Sequence, residues 1–217
     1  MDLLYRVTGP GIAHDHEVNE MIRKPKLIIV MLPLLAAGML MAAGNAEPQR
    51  HRRQRRAHQQ SRKHQRQMRH VLGHHADFAF YDADGDRFAV IKQGGERLIG
   101  MFTAEYSEAE GYRGITNSLV LLDLQGVIRE VKVVDSEDTP PYVRRVVRKG
   151  FLEQFKELKP GDSPEVDAVT GATMTCEAIE QSVKETLEAF SALTDRVDFS
   201  GTVPRGKTQK TTVKRLE

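Results

Sequence analysis

The sequence predicts an α+β domain, an antiparallel sheet with flanking helices, and three observations carry that expectation. Short apolar segments separated by Gly-containing turns fill residues 77 to 134. Helical spacing takes over from Tyr142, so strands come first and helices later. The chain of 217 residues, 40% hydrophobic and 29% charged, is long enough for one domain with a real core.

Residues 1–46 read as a signal peptide or a signal anchor. Met21 to Lys26 is basic, residues 27 to 43 are apolar apart from Pro33 and Gly38, and Gly44-Asn45-Ala46 supplies small residues of a cleavage site. The polar stretch before Met21 is long for the start of a signal, and Met21 fits an ordinary one. About seventeen apolar residues also lie at the short edge of what spans a bilayer, which keeps an uncleaved anchor open. The run Arg50, Arg52, Arg53, Arg55 and Arg56 pulls against export, because positive charge tends to stay on the cytoplasmic side.

Residues 47–76 read as a disordered Arg/His/Gln-rich arm. Residues 49 to 75 hold eight Arg and one Lys without an acidic residue, while the whole chain has a formal net charge of +2, so the remainder is net acidic. So polar a composition offers little surface to bury against the entropy of ordering. No aromatic residue interleaves with the Arg, which argues against single-strand nucleic-acid binding, and the His spacing is irregular for a metal site. Attraction to anionic lipid headgroups beside an anchor is the physically reasonable alternative to a plain linker.

Residues 77–195 form the expected domain. Residues 78–81, 87–92 and 96–103 read as strands separated by Asp84-Gly85 and Gly94-Gly95 turns, and residues 117–124 and 127–134 as a hairpin closed at Gln125-Gly126. Residues 142–158 have helical spacing with a break at Gly150. Ile179, Val183, Leu187, Phe190 and Leu193 form an apolar stripe on a helix over 175–193. Residues 196–217 read as a flexible tail.

Several chemistries are excluded from the body. All eight His lie at or before His75 and the only Cys is Cys176, so there is no imidazole base, no ordinary zinc site and no internal disulfide after residue 75. A phosphate-cradling GxGxxG loop is absent. The run Asp82-Ala83-Asp84-Gly85-Asp86 misses the Gly and Glu positions of a calcium loop and reads as a turn. Chemistry in such a body comes from a cofactor.

Asp167-Ala168-Val169-Thr170-Gly171-Ala172-Thr173-Met174-Thr175 is a loop of small hydroxylated residues leading into a helix, where free N–H groups and the helix dipole suit a phosphate. A plain N-cap through Thr173 or Thr175 explains the same residues.

Asp167-x-x-Thr170-Gly171-Ala172-Thr173 resembles the flavinylation motif of FMN-binding domains in Rnf and Na+-translocating NADH:quinone reductase complexes and in NosR-type regulators. Gly111-Tyr112-x-Gly114, Asp138-Thr139-Pro140-Pro141-Tyr142 and Phe151-Leu152-x-Gln154-Phe155 resemble further family segments in the same order, over about residues 100 to 190. Arg113-Gly114-Ile115 lacks a Pro common in the family, and Cys176 stands where Ser is common. The resemblance implies FMN joined by a phosphoester to Thr173. It also implies Thr170, Gly171, Ala172, Thr175, Asp167, Tyr112, Asp138, Thr139 and Tyr142 around the cofactor, and no metal. It further implies an electron-transfer flavoprotein rather than an enzyme with its own substrate, or else a flavin-dependent sensory or assembly module. The implied partners are an extracytoplasmic flavin transferase and a membrane redox complex or quinol-linked donor, with membrane association and a periplasmic or extracytoplasmic location, and no nucleic acid.

Overall fold

A computed structural model describes residues 46–162, 165–208 and 210–217. The stretch read as a signal peptide or anchor falls outside the described residues, its final Ala46 excepted. Among the described residues no helix is long and apolar enough to cross a membrane.

Strands β1 (Asp77–Ala83), β2 (Asp86–Gln93) and β3 (Glu96–Phe102) follow one another through the two expected tight turns. Asp82 accepts a 3.1 Å hydrogen bond from the Gly85 N–H and so closes the first turn, the structural role expected of this acidic run. Strands β4 (Thr116–Leu122) and β5 (Ile128–Ser136) form the second hairpin. Its turn is held by Asp123, which accepts from the N–H groups of Gln125 and Val127 at 2.9 Å each.

All neighbours in the sheet are antiparallel, in the order β5-β4-β3-β2-β1, with strand β8 (Val213–Leu216) beyond β1. Both faces are covered. Strand β4 is buried at all seven positions, because alternate residues serve opposite faces. Val120 and Leu122 join the core beneath helix α3 (Thr173–Arg196), while Leu119 and Leu121 join a smaller cluster on the other side. The stripe of Ile179, Val183, Leu187, Phe190 and Leu193 is buried throughout, as its spacing predicts. Helix α2 (Pro140–Arg148) adds Val143 and Val146 to the core, and the chain turns at Gly150 into a short 3-10 segment, Leu152–Phe155.

Two expectations are corrected. Residues 47–76 do not form a disordered arm: helix α1 runs from Ala46 to Leu72. His64 and Met68 are buried with Phe80, Ile91, Phe102 and Leu119 or stacked on them, and Val71 and Leu72 pack alongside. Gln, Arg, Met and Leu are strong helix formers, and four apolar or aromatic positions at helical spacing suffice once a sheet face needs covering. Nor is 196–217 a loose tail. Val197 and Phe199 are buried, Phe199 lies against Phe88 and Phe190, and β8 (Val213–Leu216) pairs with β1 at the sheet edge. Between them β6 (Val197–Asp198) pairs with β7 (Arg205–Gly206). His58–Glu217 is one compact unit.

Candidate functional site

Asp138, two residues beyond the end of β5, organises the site. It is 2% exposed, and its carboxylate accepts from the Arg113 N–H at 3.0 Å, the Thr139 N–H at 2.6 Å and the Thr175 hydroxyl at 2.6 Å. Burial by itself would raise its pKa, but the hydrogen bonds from Thr175 and from the backbone of Thr139, Arg113 and Tyr112 outweigh burial and hold it below the ordinary Asp value. One carboxylate thus ties three sequence-distant segments together: the 111–114 turn, the start of α2 and the first turn of α3.

That junction dictates a residue without a side chain at position 111. A Cβ there would collide with Asp138 Oδ2, so the Gly-Tyr-x-Gly segment is shaped by the carboxylate beside it. Tyr112 is then turned outward, 59% exposed, and its ring meets that of Tyr142 edge to face at a centroid distance of 6.1 Å. Thr139 precedes α2 and its hydroxyl is buried without a hydrogen-bond partner among the described residues.

The Thr170–Thr173 loop is presented to solvent. Its base is held at Asp167, whose N–H donates to Gln154 Oε1 at 2.8 Å and whose carbonyl accepts from Gln154 Nε2 at 3.3 Å. The Asp167 side chain itself is exposed and caps nothing among the described residues. Gly171 takes φ +76°, and Arg145 Nη1 lies so close that a Cβ would strike it; this nitrogen donates to the carbonyls of Gly171 at 3.2 Å and Thr170 at 3.4 Å. Ala172 is buried at the N-cap position and makes no side-chain cap, so among the described residues the first amides of α3 have no side-chain acceptor.

The site residues therefore divide. Thr173, Thr170 and Gly171 are exposed in one loop, and Tyr112 and Tyr142 form an aromatic pair. Asp138 and Thr175 bond each other beneath them. Thr175 points inward to Asp138 and Thr173 makes no cap, which removes the plain N-cap explanation of the motif. Cys176 is buried, burial pushes its thiol pKa up, and its sulfur accepts from the Val169 N–H at 3.4 Å; it is a packing residue. Arg145 and Gln154 are contributors not singled out from sequence as site residues. Each reaches across more than ten residues to the loop, a relation without local spacing.

Residues 111–188 match the family model of the FMN-binding domain. This segment is an FMN-binding domain. It opens at Gly111, beside Asp138, and closes inside α3, so the match spans every element of the site just described. The chain is also similar to one component of a proton-translocating ferredoxin:NAD(+) oxidoreductase complex from Clostridium ljungdahlii. The two are 27% identical over 133 residues, covering 57% of this chain and 70% of that protein. The cofactor of the FMN-binding domain is FMN. The residues present fit it: an exposed hydroxyl at an uncapped helix start suits a phosphate, the exposed Tyr112 ring beside half-buried Tyr142 offers an aromatic surface, and the Thr139 hydroxyl is a buried group in need of a partner.

Proposed function

We propose that the protein is an extracytoplasmic flavoprotein that carries FMN as a phosphoester on Thr173 and passes electrons between a membrane donor and an extracytoplasmic acceptor. The single observation that carries the attachment site is the exposed Thr173 hydroxyl at the first residue of α3, in a loop whose neighbouring Thr175 is already committed to Asp138. FMN supplies one- and two-electron transfer, which the side chains of residues 111–188, without His or paired Cys, do not.

The residues around it have distinct tasks. Gly171 and the loop amides receive the phosphate, and the dipole of the 24-residue helix favours its negative charge. Tyr112 and Tyr142 flank the ring. Asp138, through Arg113 and Thr175, fixes the Gly-Tyr turn relative to the helix start. Attachment joins Thr173 Oγ to phosphorus while the anhydride bond of a flavin dinucleotide breaks; the nucleotide leaves, the hydroxyl proton passes to solvent, and no electron moves. FMN itself is an unactivated monoester, so an anhydride donor and a flavin transferase outside the cytoplasm complete the reaction.

Export follows from the basic start, the apolar run 27–43 and the small residues 44–46, and it brings the loop to the transferase. The similarity to a component of an oxidoreductase complex supports partnership with a membrane redox complex or a quinol-linked donor. A reporter active only outside the cytoplasm, fused after residue 80, tests location: activity is expected with Met21 as the start, and silence contradicts it. Reduction of the purified flavoprotein by a membrane fraction tests electron transfer; a flavin that stays oxidised with every respiratory donor contradicts a carrier role and favours a sensory or assembly module.

A further inference from the structure

We propose that Arg145 is the positioning residue for the flavin phosphate, supplying the positive charge that holds the Thr170-Gly171 turn and balances the phosphoester on Thr173; this rests on the Thr173 reading above. Arg145 stands on α2, half-buried between Val143 and Val146, both of which are locked in the core. Its Nη1 is committed to the carbonyls of Thr170 and Gly171, and the missing side chain at Gly171 is what lets it come so near. Its charge is unanswered. Among the described residues no carboxylate pairs with it, and neither Nε nor Nη2 has a hydrogen-bond partner. Asp138, the buried carboxylate of the site, is already occupied by Thr175, Thr139 and Arg113.

A guanidinium with two unused edges, bound to the loop just ahead of the acceptor hydroxyl, is matched to an anion that arrives with the cofactor. The carbonyl bonds orient it, and the remaining donors face no protein acceptor. A purely structural tether for the loop would need hydrogen bonds and no charge. A phosphate counter-charge needs both, and this difference separates the two roles.

The experiment compares wild type, Arg145→Lys and Arg145→Gln, each incubated unflavinylated with flavin dinucleotide and a purified flavin transferase. Covalent flavin is followed by fluorescence after denaturation. Arg145→Gln keeps an amide donor but no charge, and its attachment rate is expected to fall about tenfold, the equivalent of one charge-assisted hydrogen bond at the weak end of its range. Arg145→Lys is expected to recover most of the rate. Melting of each protein before and after attachment supplies a readout independent of the transferase: attachment should lower the melting temperature of Arg145→Gln relative to its effect on wild type and Arg145→Lys. Equal rates and equal melting shifts in all three overturn the Arg145 role alone. Lys and Gln variants impaired alike show a tether without a charge role and also overturn it. Wild-type protein that takes up no flavin overturns the Thr173 reading and the Arg145 role together.

Discussion

Asp138 is where a single atom change should be felt most in this domain. Its pKa is lowered on folding, so it contributes stability that is complete above the unfolded Asp range and lost as pH falls through the folded value. Asp138→Asn should therefore lower stability at pH 7 by about 2–4 kcal/mol, since several charge-assisted bonds weaken at once. It should also flatten the acid side of the stability profile, and urea titrations at pH 7 and pH 3 measure both effects. Thr175→Val loses one bond to the same carboxylate and should cost about 1.5–3 kcal/mol in the same titration. Thr173→Ala, by contrast, removes an exposed hydroxyl that caps nothing and should fall within about 0.5 kcal/mol of wild type. Two threonines two residues apart thus separate into a fold residue and an attachment residue. As N-cap candidates the two are equivalent in sequence, because the partner that distinguishes them, Asp138, lies 37 residues from Thr175.

At the scale of elements, α1 is where composition misled. Counting apolar residues in 47–76 missed that His64, Met68, Val71 and Leu72 fall on one helical face and that the sheet has a second face to cover. The α3 stripe was legible because it is long and purely aliphatic or aromatic; the α1 stripe is short and includes an imidazole. Met68→Ala should lower stability by about 3 kcal/mol, measured by thermal or urea unfolding, as for other fully buried side chains cut to Ala. His64 adds a pH dependence. It stacks on Phe102 at 4.6 Å, and burial lowers its pKa, with Arg87 and Lys63 acting in the same direction and Glu105, 3.3 Å away, opposing them. A lowered His pKa means the unfolded chain binds more protons below its ordinary value. Stability should therefore fall as pH drops below about 6.5 and level off once the folded value is passed. Melting curves between pH 5 and 8 should show this slope in wild type and not in His64→Phe.

Across the whole molecule, the sheet is sealed between α1 and α3 and its β1 edge is closed by β8, so regions that read as arm and tail are parts of the fold. The hairpins, the break at Gly150 and the long amphipathic helix were legible because each depends on neighbours in sequence. Pairing of residues 213–216 with β1 was not, because a four-residue strand at a polar terminus has no pattern of its own. Much the same holds for the site. The Thr-Gly-Ala-Thr loop is visible in the sequence, while the Asp138 junction and the Arg145 contact exist only once distant segments meet. Whether this FMN-binding domain carries its flavin on Thr173 is decided by peptide mass mapping of protein co-expressed with an active flavin transferase. One flavin phosphoryl group per chain is expected, retained through denaturation, on the peptide containing Thr173 and absent from Thr173→Ala. A flavin mapped to another residue, one that persists in Thr173→Ala, or a colourless wild-type protein would contradict it.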